Sequence, residues 1–439
     1  MISAIRVIRG LAVLFPVSRR NCYGQRMSET RFPEAGDLIE VTTERLAYGG
    51  EAVARHQGLA IFVPLAAAGE TLRVRVTEIK KNFARAAIEE ILVPSPSRRE
   101  ALCRYFGDCG GCQLQHIEYR DQLAAKAGFV RDALARIGKL DWPHEIEIGA
   151  AAEFAYRARA QVKLERQESA TGTEIRIGFS RAGSHSVCDV EECPILVPEL
   201  NSALGSLRSL LSTSPEAADR VLAGRRFAEI EMAAGSSGVS FEPALGGLPG
   251  LSTSRIVGGA IYDFNASAFF QANPFLIEAL VEESVGTTGG RLAVDLYAGV
   301  GLFTVPLARK FERVVGVESD AGAASFGRQN LAANGISNAE FHTGHVETAL
   351  KDLIRTCAAA SSRPDLVLLD PPRVGAAQAI ARIVTLRPQR VSYVSCDPTT
   401  LARDLRNLVS AGYGLTRVTA FDMFPQTYHV ETVAHLELR

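Results

Sequence analysis

Three cysteines lie close together in the first third of the chain, at Cys103, Cys109 and Cys112. Thiolates at C-x5-C-x2-C spacing, with paired glycines between them, can wrap around one metal centre. A fourth ligand is needed, and Cys188 and Cys193 occur together in one later segment. The spacing includes no histidine and does not by itself separate zinc from a [4Fe-4S] cluster.

A second chemical signal is the segment Arg291–Gly301, RLAVDLYAGVG. Its apolar run ends at Asp295, and a turn with Gly299 and Gly301 leads into a predicted helix over 302–310. Strand, glycine turn and helix open a doubly wound α/β sheet in which the backbone approaches a ligand closely. A dinucleotide fingerprint would have a glycine where this chain has a threonine three residues later. The pattern instead resembles the S-adenosylmethionine loop of class I methyltransferases.

Further chemical groups follow the later apolar runs. Glu318 ends the next predicted strand, where its carboxylate can accept hydrogen bonds from ribose hydroxyls. Asp370 and Cys396 follow two more strands, and such strand ends face the ligand crevice. The helix predicted after Cys396 would favour its thiolate, although a buried structural cysteine is the alternative. Methyltransferases acting on amino groups usually have an aromatic residue where this chain has Arg373, which disfavours an exocyclic amine as the target.

The rest of the chain must position these groups. A length of 439 residues is too great for one ordinary core, so two or three domains are expected. The composition, 47% hydrophobic and 22% charged with a net charge of -1, is ordinary for a soluble globular protein and gives no global attraction for nucleic acid. No apolar run approaches the roughly 20 residues that span a membrane. We therefore expect a cytoplasmic monomer, with no membrane and no protein partner implied.

The pattern along the chain predicts four segments. They are an extension over 1–35, a small β-barrel over 36–95, a central α+β domain over 96–255 and an α/β domain over 256–439. The extension is expected to be poorly ordered, with Met27 as an alternative start. Within the central domain, the spacing of apolar residues predicts an amphipathic helix over 117–138. A stretch rich in small residues over 217–250 is typical of a linker.

The barrel segment resembles a TRAM domain, a small β-barrel of OB type found on RNA-modifying enzymes. Lys80, Lys81 and Arg85 add basic charge near its end. A small barrel with basic loops suits phosphates and bases, whereas for any single lysine a solvated loop is the simpler interpretation.

Five motifs, in order, resemble the RNA uracil C5-methyltransferase family: FFQAN, DLYAGVGLF, DPPR, SCDP and DMFPQTYHVE. The barrel and the cysteine cluster match its ribosomal RNA branch, and the resemblance runs from about residue 36 to the end. It implies a class I, Rossmann-like methyltransferase domain, S-adenosylmethionine as cofactor and RNA as partner. It also implies a [4Fe-4S] cluster in preference to zinc. The implied ligands are Cys103, Cys109, Cys112 and Cys193, because the family's fourth cysteine lies just before Pro-Ile/Val-Leu. Asp397 stands where the family commonly has asparagine.

The resemblance further implies roles for individual residues. Cys396 would attack C6 of a uridine so that C5 becomes nucleophilic and accepts the methyl group, and Glu431 would then remove the C5 proton. The flipped base would stack on Phe270 and contact Asp370 and Arg373. The cofactor-binding residues implied are Gln271, Asp295, Tyr297, Gly299, Gly301, Glu318 and Asp370.

Several alternatives remain open. The sequence does not name the RNA: 23S ribosomal RNA is favoured by the barrel and the cluster, and transfer RNA is the second choice. A non-catalytic RNA-binding relative is disfavoured because Cys396 and Glu431 are both present. Radical S-adenosylmethionine enzymes usually have C-x3-C-x2-C spacing, and DNA cytosine methyltransferases a Pro-Cys pair where this chain has Ser-Cys. Because the chemistry needs no electron, the cluster is expected to be structural or to position RNA.

Overall fold

The computed structural model describes residues 32–169, 172–248 and 251–439. The expected extension over 1–35 therefore lies outside the described residues, except for its last part, 32–35. Among the helices in the described ranges, none combines the length and apolar character needed to cross a membrane.

Five strands near the amino end close into a barrel in the order β1-β2-β3-β5-β4. The strands are β1 (Leu38–Leu46), β2 (Ala52–His56), β3 (Leu59–Val63), β4 (Thr71–Ile79) and β5 (Phe83–Val93). Alternate residues such as Leu72, Val74 and Val76 are buried inside, as the period-2 pattern predicts. The small β-barrel expected from the sequence is confirmed.

Two of the three basic residues predicted near the end of the barrel, Lys80 and Arg85, pair with neighbouring carboxylates. Arg85 Nε lies 3.0 Å from Glu51 Oε1, and Lys80 Nζ lies 2.6 Å from Glu78 Oε1. An RNA phosphate that contacts these two side chains must therefore compete with existing ion pairs. Exposed pairs of this kind are weak because solvent screens them, so they lower the attraction for phosphate without abolishing it.

The helix predicted over 117–138 is observed as α1 (Tyr119–Ala133) followed by a π-helical turn, Leu134–Gly138. Its buried Val130 and Leu134 belong to the same apolar core as the helices and sheet of the carboxyl-terminal half. The short strand β6 (Glu147–Gly149) that follows joins that sheet as well. This part of the chain thus supports the carboxyl-terminal half rather than a separate layer.

The central sheet has five strands in the order β11-β10-β7-β8-β9, with two helices packed against it. Its elements are β7 (Arg159–Ser169), β8 (Gly172–Ser180), β9 (Val187–Asp189), α2 (Pro198–Thr213), α3 (Pro215–Leu222), β10 (Phe227–Gly235) and β11 (Gly238–Glu242). The linker expected over 217–250 is therefore wrong. Small residues suggested a linker there, but Ile230 and Met232 keep period-2 alternation and are fully buried.

The carboxyl-terminal half is a doubly wound α/β layer preceded by a hairpin. Its elements are β12 (Thr253–Val257), β13 (Ala260–Phe264), α4 (Ile277–Val285), β14 (Gly290–Leu296), α5 (Thr304–Ala308), β15 (Phe311–Glu318), α6 (Ala321–Ala333), β16 (Ala339–Thr343), α7 (Val346–Ala359), β17 (Leu366–Leu369), α8 (Ala377–Leu386), β18 (Arg390–Ser395), α9 (Pro398–Ser410), β19 (Tyr413–Phe421) and β20 (Glu431–Leu438). The sheet order is β16-β15-β14-β17-β18-β20-β19-β6, and only β20 runs antiparallel to its neighbours. The order reverses between β14 and β17, so the ligand crevice of such a fold opens there.

Three glycines make room for one aromatic ring beside the glycine turn. A Cβ atom on Gly301 or Gly316 would lie 3.3 Å from the ring of Phe341, and one on Gly327 would lie 2.4 Å from it. The turn, β15 and α6 can close on β16 only because these positions lack side chains. Glycine at Gly301 therefore serves packing as well as backbone conformation.

We predict opposite effects for two glycine-to-alanine changes in helices. Gly327→Ala should destabilise the protein by about 1–3 kcal/mol because the new methyl group overlaps the Phe341 ring. Gly128→Ala in α1 meets no atom within 4 Å and should stabilise by up to about 1 kcal/mol through helix propensity. Urea unfolding of both variants measures the difference, and equal effects of the same sign would contradict the packing argument.

Candidate active site

The side chains predicted to do chemistry meet at one edge of the large sheet. Asp295 is the next-to-last residue of β14, Glu318 ends β15, and Asp370 follows β17 directly. Cys396 follows β18, and Glu431 begins the antiparallel β20. Parallel strands bring their carboxyl ends to the same edge, so residues that are far apart in sequence converge there.

The β18–β20 ladder brings Cys396 and Glu431 to the same end of two paired strands. Its last pair is Ser395 with Thr432, and Cys396 and Glu431 are the residues next to that pair. The charge of Glu431 acts on the Cys396 thiol and raises its pKa, so the two side chains lie near each other. A thiol and a carboxyl group can therefore act on the same small ring.

The environment disfavours the Cys396 thiolate. Burial, together with the charges of Glu431 and Asp370, raises the pKa of Cys396 to about 12, and Arg373 opposes this rise. The sequence suggested a lowered pKa from the amino end of α9. That helix end is capped by Asp397, whose Oδ1 accepts from the backbone nitrogens of Thr399 and Thr400, so a carboxylate offsets the positive end of the helix.

Two carboxyl groups share the site, the buried Glu431 and the half-buried Asp370. Burial raises the pKa of Asp370 to about 7, with Gln271 Nε2 donating to its Oδ2 at 3.3 Å. Burial and the charge of Asp370 raise the pKa of Glu431 well above its usual range, while Arg373 opposes the rise. Like charges in one buried site disfavour double ionisation, so at neutral pH one of the two carboxyls retains a proton.

The backbone conformation of the glycine turn would let a ligand approach it closely. Tyr297 has φ +61°, an uncommon value for a residue with a side chain, and Gly299 and Gly301 also have positive φ. Glu318 Oε2 accepts from Gly299 N at 2.9 Å, so the acid at the end of β15 also fixes the turn.

Asp295 lies fully buried beneath the turn. Its Oδ2 accepts from Thr304 Oγ1 at 2.5 Å, and burial raises its pKa to about 7. Its Oδ1 has no hydrogen-bond partner within the described ranges. A buried acceptor of this kind suits a ligand that donates a hydrogen bond, since leaving it unpaired costs about 1–3 kcal/mol.

The stacking surface expected at Phe270 is not available. Phe270 is only 3% exposed, and its ring stacks on Phe264 at a centroid distance of 4.4 Å, so it has no free face. The neighbouring Phe269 is 58% exposed, and the Arg159 guanidinium lies 5.9 Å from its ring centre. The sequence motif alone did not tell which of the two adjacent phenylalanines is buried.

Arg373 is exposed at the rim of the site and interacts with the Cys396 thiol. Its Nη2 lies 3.3 Å from His429 Nε2. A guanidinium group only donates, so His429 Nε2 accepts and the ring proton is on Nδ1. Burial and the Arg373 charge lower the pKa of His429 to about 3, which keeps this histidine neutral.

The barrel contributes a side chain that the sequence did not single out. Tyr48, in the turn after β1, donates from its hydroxyl to Asp397 Oδ2 at 3.2 Å. Its ring meets Tyr428 edge-on at 5.3 Å and Phe129 of α1 at 6.0 Å. The signal available in the sequence was an aromatic residue in a tight Tyr-Gly-Gly turn, which predicted a turn but not its distant partner.

Four cysteines line one cavity of about 220 Å³ in the central domain: Cys103, Cys109, Cys112 and Cys193. Burial raises the pKa of Cys112 to about 12 and that of Cys193 to about 11. Cys188, which is not part of the cavity lining, directs its Sγ to Asp108 Oδ2 at 3.5 Å. Over the described ranges, no group of three or more His, Cys, Asp or Glu side chains has the arrangement of a metal-ion site.

Comparisons with known proteins agree with this architecture. A family model described as tRNA (uracil-5-)-methyltransferase matches residues 255–439, and the TRAM domain model matches residues 34–88. A solved structure of a Pyrococcus abyssi tRNA (uracil-54, C5)-methyltransferase with S-adenosyl-L-homocysteine superposes with a TM-score of 0.68. It is 23% identical and covers 90% of this chain and 99% of its own, which shows the shared fold.

Curated relatives align over nearly the whole chain. A 23S rRNA (uracil(1939)-C(5))-methyltransferase of Aeromonas salmonicida is 32% identical over 91% of this chain and 96% of its own. The enzyme of the same name from Cronobacter sakazakii is 35% identical over the same shares. An uncharacterized RNA methyltransferase of Synechocystis is 34% identical over 92% of this chain and 96% of its own.

The charges around Cys396 predict how its alkylation rate responds to substitution. Asp370→Asn removes a negative charge that raises the thiol pKa, so more thiolate should be present and alkylation by iodoacetamide at pH 8 should be faster. Arg373→Met removes the opposing cation and should slow the reaction. Peptide mass spectrometry that follows Cys396 gives the rates. Changes of the same sign in both variants would contradict the electrostatic assignment.

Proposed function

Since this chain belongs to the RNA uracil C5-methyltransferase family, and so is an S-adenosylmethionine-dependent RNA (uracil-5-)-methyltransferase, we propose that it methylates C5 of a uridine in 23S ribosomal RNA by covalent catalysis. Cys396 is the nucleophile and Glu431 the general base. The observation that carries this assignment is the end of the β18–β20 ladder, where Cys396 and Glu431 adjoin the last pair, Ser395 with Thr432, and the Glu431 charge acts on the thiol.

The reaction requires a nucleophile on one ring carbon and a base near the next. The Cys396 thiolate forms a bond to C6, and the displaced electron pair makes C5 nucleophilic. After C5 has gained the methyl group, the Glu431 carboxylate takes the C5 proton. The C6–sulfur bond then breaks, which restores the C5–C6 double bond and the thiolate.

Three side chains near Cys396 and Glu431 can assist this reaction, although burial itself disfavours the Cys396 thiolate. Arg373 is the cation that favours the Cys396 thiolate, since it opposes the effect of burial and of both carboxylates on the thiol pKa. Asp370, with a pKa of about 7, can hold a proton and donate it as a hydrogen bond to the uracil edge. Phe269, exposed beside Arg159, offers the aromatic face for a base turned out of its stack.

The residues at the glycine turn fit S-adenosylmethionine. The unpaired Asp295 Oδ1 can accept a hydrogen bond from the amino group of the cofactor. Glu318, which already accepts from Gly299 N, can also accept from the ribose hydroxyls. Tyr297, Gly299 and Gly301 form the turn between these two acids, and Gln271 can contact cofactor or substrate. When bound, S-adenosylmethionine supplies an electrophilic methyl group.

The choice of 23S ribosomal RNA rests on whole-length similarity. Relatives named for that substrate align over more than 90% of both chains. Transfer RNA is the second candidate, because the matching family model and the solved structure of the same fold are named for it.

We further propose that the four-cysteine cavity binds a [4Fe-4S] cluster. Cys103, Cys109, Cys112 and Cys193 surround about 220 Å³ rather than converge on one point, which suits an iron–sulfur cage better than a single zinc ion. Their raised pKa values mean that binding must displace protons. The chemistry above uses no electron, so the cluster would order its segment rather than react.

Mapping of 5-methyluridine tests the target and the nucleophile together. In cells that lack the gene, the wild-type protein should restore 5-methyluridine at one position of 23S ribosomal RNA, and Cys396→Ala should restore none while still binding S-adenosylmethionine. Mass spectrometry of purified 23S and transfer RNA reads both outcomes. Restoration in transfer RNA alone would overturn the proposed substrate, and an active Cys396→Ala would overturn the covalent route.

The same cells can be used to test Glu431 as the general base. Glu431→Gln should leave the C5 proton in place, so a protein–RNA adduct that survives denaturation should accumulate. Glu437→Gln, a change at an exposed position near the far end of β20, is the matched control and should form no excess adduct. Rapid turnover by Glu431→Gln without adduct would remove Glu431 from this role.

Cysteine substitutions distinguish the ligand sets. After anaerobic purification, Cys193→Ser should lose most of the iron, sulfide and visible absorption, whereas Cys188→Ser should retain them because that thiol lies outside the cavity lining. Metal analysis and absorption spectra give the result. One zinc per chain in the wild-type protein, or the reverse order of the two variants, would contradict the proposed cluster.

A further inference from the structure

We propose that one face of α1, formed by Gln122 and Lys126, is a positioning device for the general base. It fixes the loop over 422–430, which joins β19 to β20 and ends directly before Glu431. The inference rests on the proposed function and adds two positioning residues to it. Neither side chain is assigned a part in the chemistry itself.

A fully buried ion pair anchors the start of this loop. Lys126 Nζ lies 2.5 Å from Asp422 Oδ1, and both side chains are 0% exposed. The same Nζ donates to the carbonyl oxygen of Phe424 at 3.0 Å. Burial lowers the pKa of Lys126 and raises that of Asp422, and the attraction between the two charges opposes both shifts.

A second anchor holds the middle of the loop, one helical turn earlier on α1. Gln122 Nε2 donates to Gln426 Oε1 at 2.9 Å, and Gln426 N donates to Gln122 Oε1 at 3.1 Å. Gln426 has φ +69° and is fully buried, a conformation that needs such external support. Residues four apart share a helix face, so Gln122 and Lys126 act on the loop together.

The cysteine segment holds the same loop from the other side. The carbonyl oxygen of Gln426 accepts from the backbone nitrogens of Gln113 and Leu114 at 3.0 and 2.9 Å. Tyr156 Oη donates to the carbonyl oxygen of Pro425 at 2.8 Å. The loop is therefore clamped by elements that lie far from it in sequence.

Glu431 depends on this clamp because its own side chain is weakly held. Within the described residues, Glu431 Oε1 has no hydrogen-bond partner. The direction of the carboxyl group is thus set by the backbone where the loop enters β20. A buried ion pair seldom adds stability over an apolar pair of the same size, whereas it does fix a geometry, which is the property a general base requires.

The test compares two variants that each leave a buried carboxylate without its cation. Lys126→Met does so beside the loop, and Arg226→Met does so at Glu165 in the central sheet, where Arg226 Nη2 lies 2.6 Å from Glu165 Oε1. Both are expected to lower the melting temperature. Single-turnover assays with S-adenosylmethionine and 23S ribosomal RNA separate adduct formation from release of the C5 proton.

Lys126→Met should slow C5 proton release on the order of 100-fold, as expected for a reacting group moved by about 1 Å, so the denaturation-resistant adduct should accumulate. Adduct formation and S-adenosylmethionine affinity should change little. Arg226→Met should show no adduct accumulation. Equal slowing of both steps in Lys126→Met, or the same adduct in Arg226→Met, would overturn the inference.

If Lys126→Met does not fold, two further variants test whether α1 positions the loop before Glu431. The double variant Lys126→Met with Asp422→Leu replaces the ion pair by an apolar pair and should recover the melting temperature. It should still release the proton slowly, because Phe424 remains without its donor. Gln122→Met should slow the same step. Wild-type release rates in both would show that α1 acts through stability alone, whereas a wild-type protein that makes no 5-methyluridine would reject the proposed function first.

Discussion

The active site depends on one antiparallel register. β20 is the only strand of the large sheet that runs against its neighbours, and its first residue is Glu431. Pairing of Thr432 with Ser395 brings the acid near Cys396, the residue that follows β18. A slip of one residue would turn the Glu431 side chain to the other face of the sheet, away from the cysteine. Strand pairing thus determines whether Cys396 and Glu431 can lie on the same side of the sheet.

That register concentrates charge where water is excluded. Asp295 and Glu431 are buried and Asp370 is half-buried, and desolvation raises the pKa of all three. Arg373 is a nearby positive charge that opposes the raised pKa of both Cys396 and Glu431. The result is a site in which protons are held on carboxyls and a thiol at neutral pH. Substrate binding can then redistribute them.

Parts of the chain outside the methyltransferase layer complete this site. The barrel reaches Asp397, next to the proposed nucleophile Cys396, through the hydroxyl of Tyr48. Helix α1 reaches the loop before Glu431 through Gln122 and Lys126. Elements that precede the sheet in sequence therefore contact the chain next to each residue of the proposed catalytic pair.

The sequence by itself predicted most of the element types and the residues that we propose to react. Apolar runs of fixed period predicted the barrel, the helix that became α1 and the strands ending at Glu318, Asp370 and Cys396, because local spacing reflects which face is buried. The linker prediction over 217–250 was wrong because it rested on composition, and composition does not show which positions alternate between buried and exposed. Only the tertiary structure decided which of two adjacent phenylalanines is exposed, why the thiol pKa is raised, and that a lysine and a glutamine of α1 hold the loop before Glu431. The contacts of α1 with the loop join residues 296 and 304 positions apart. The other two properties depend on how separate elements pack together, which local sequence patterns do not specify.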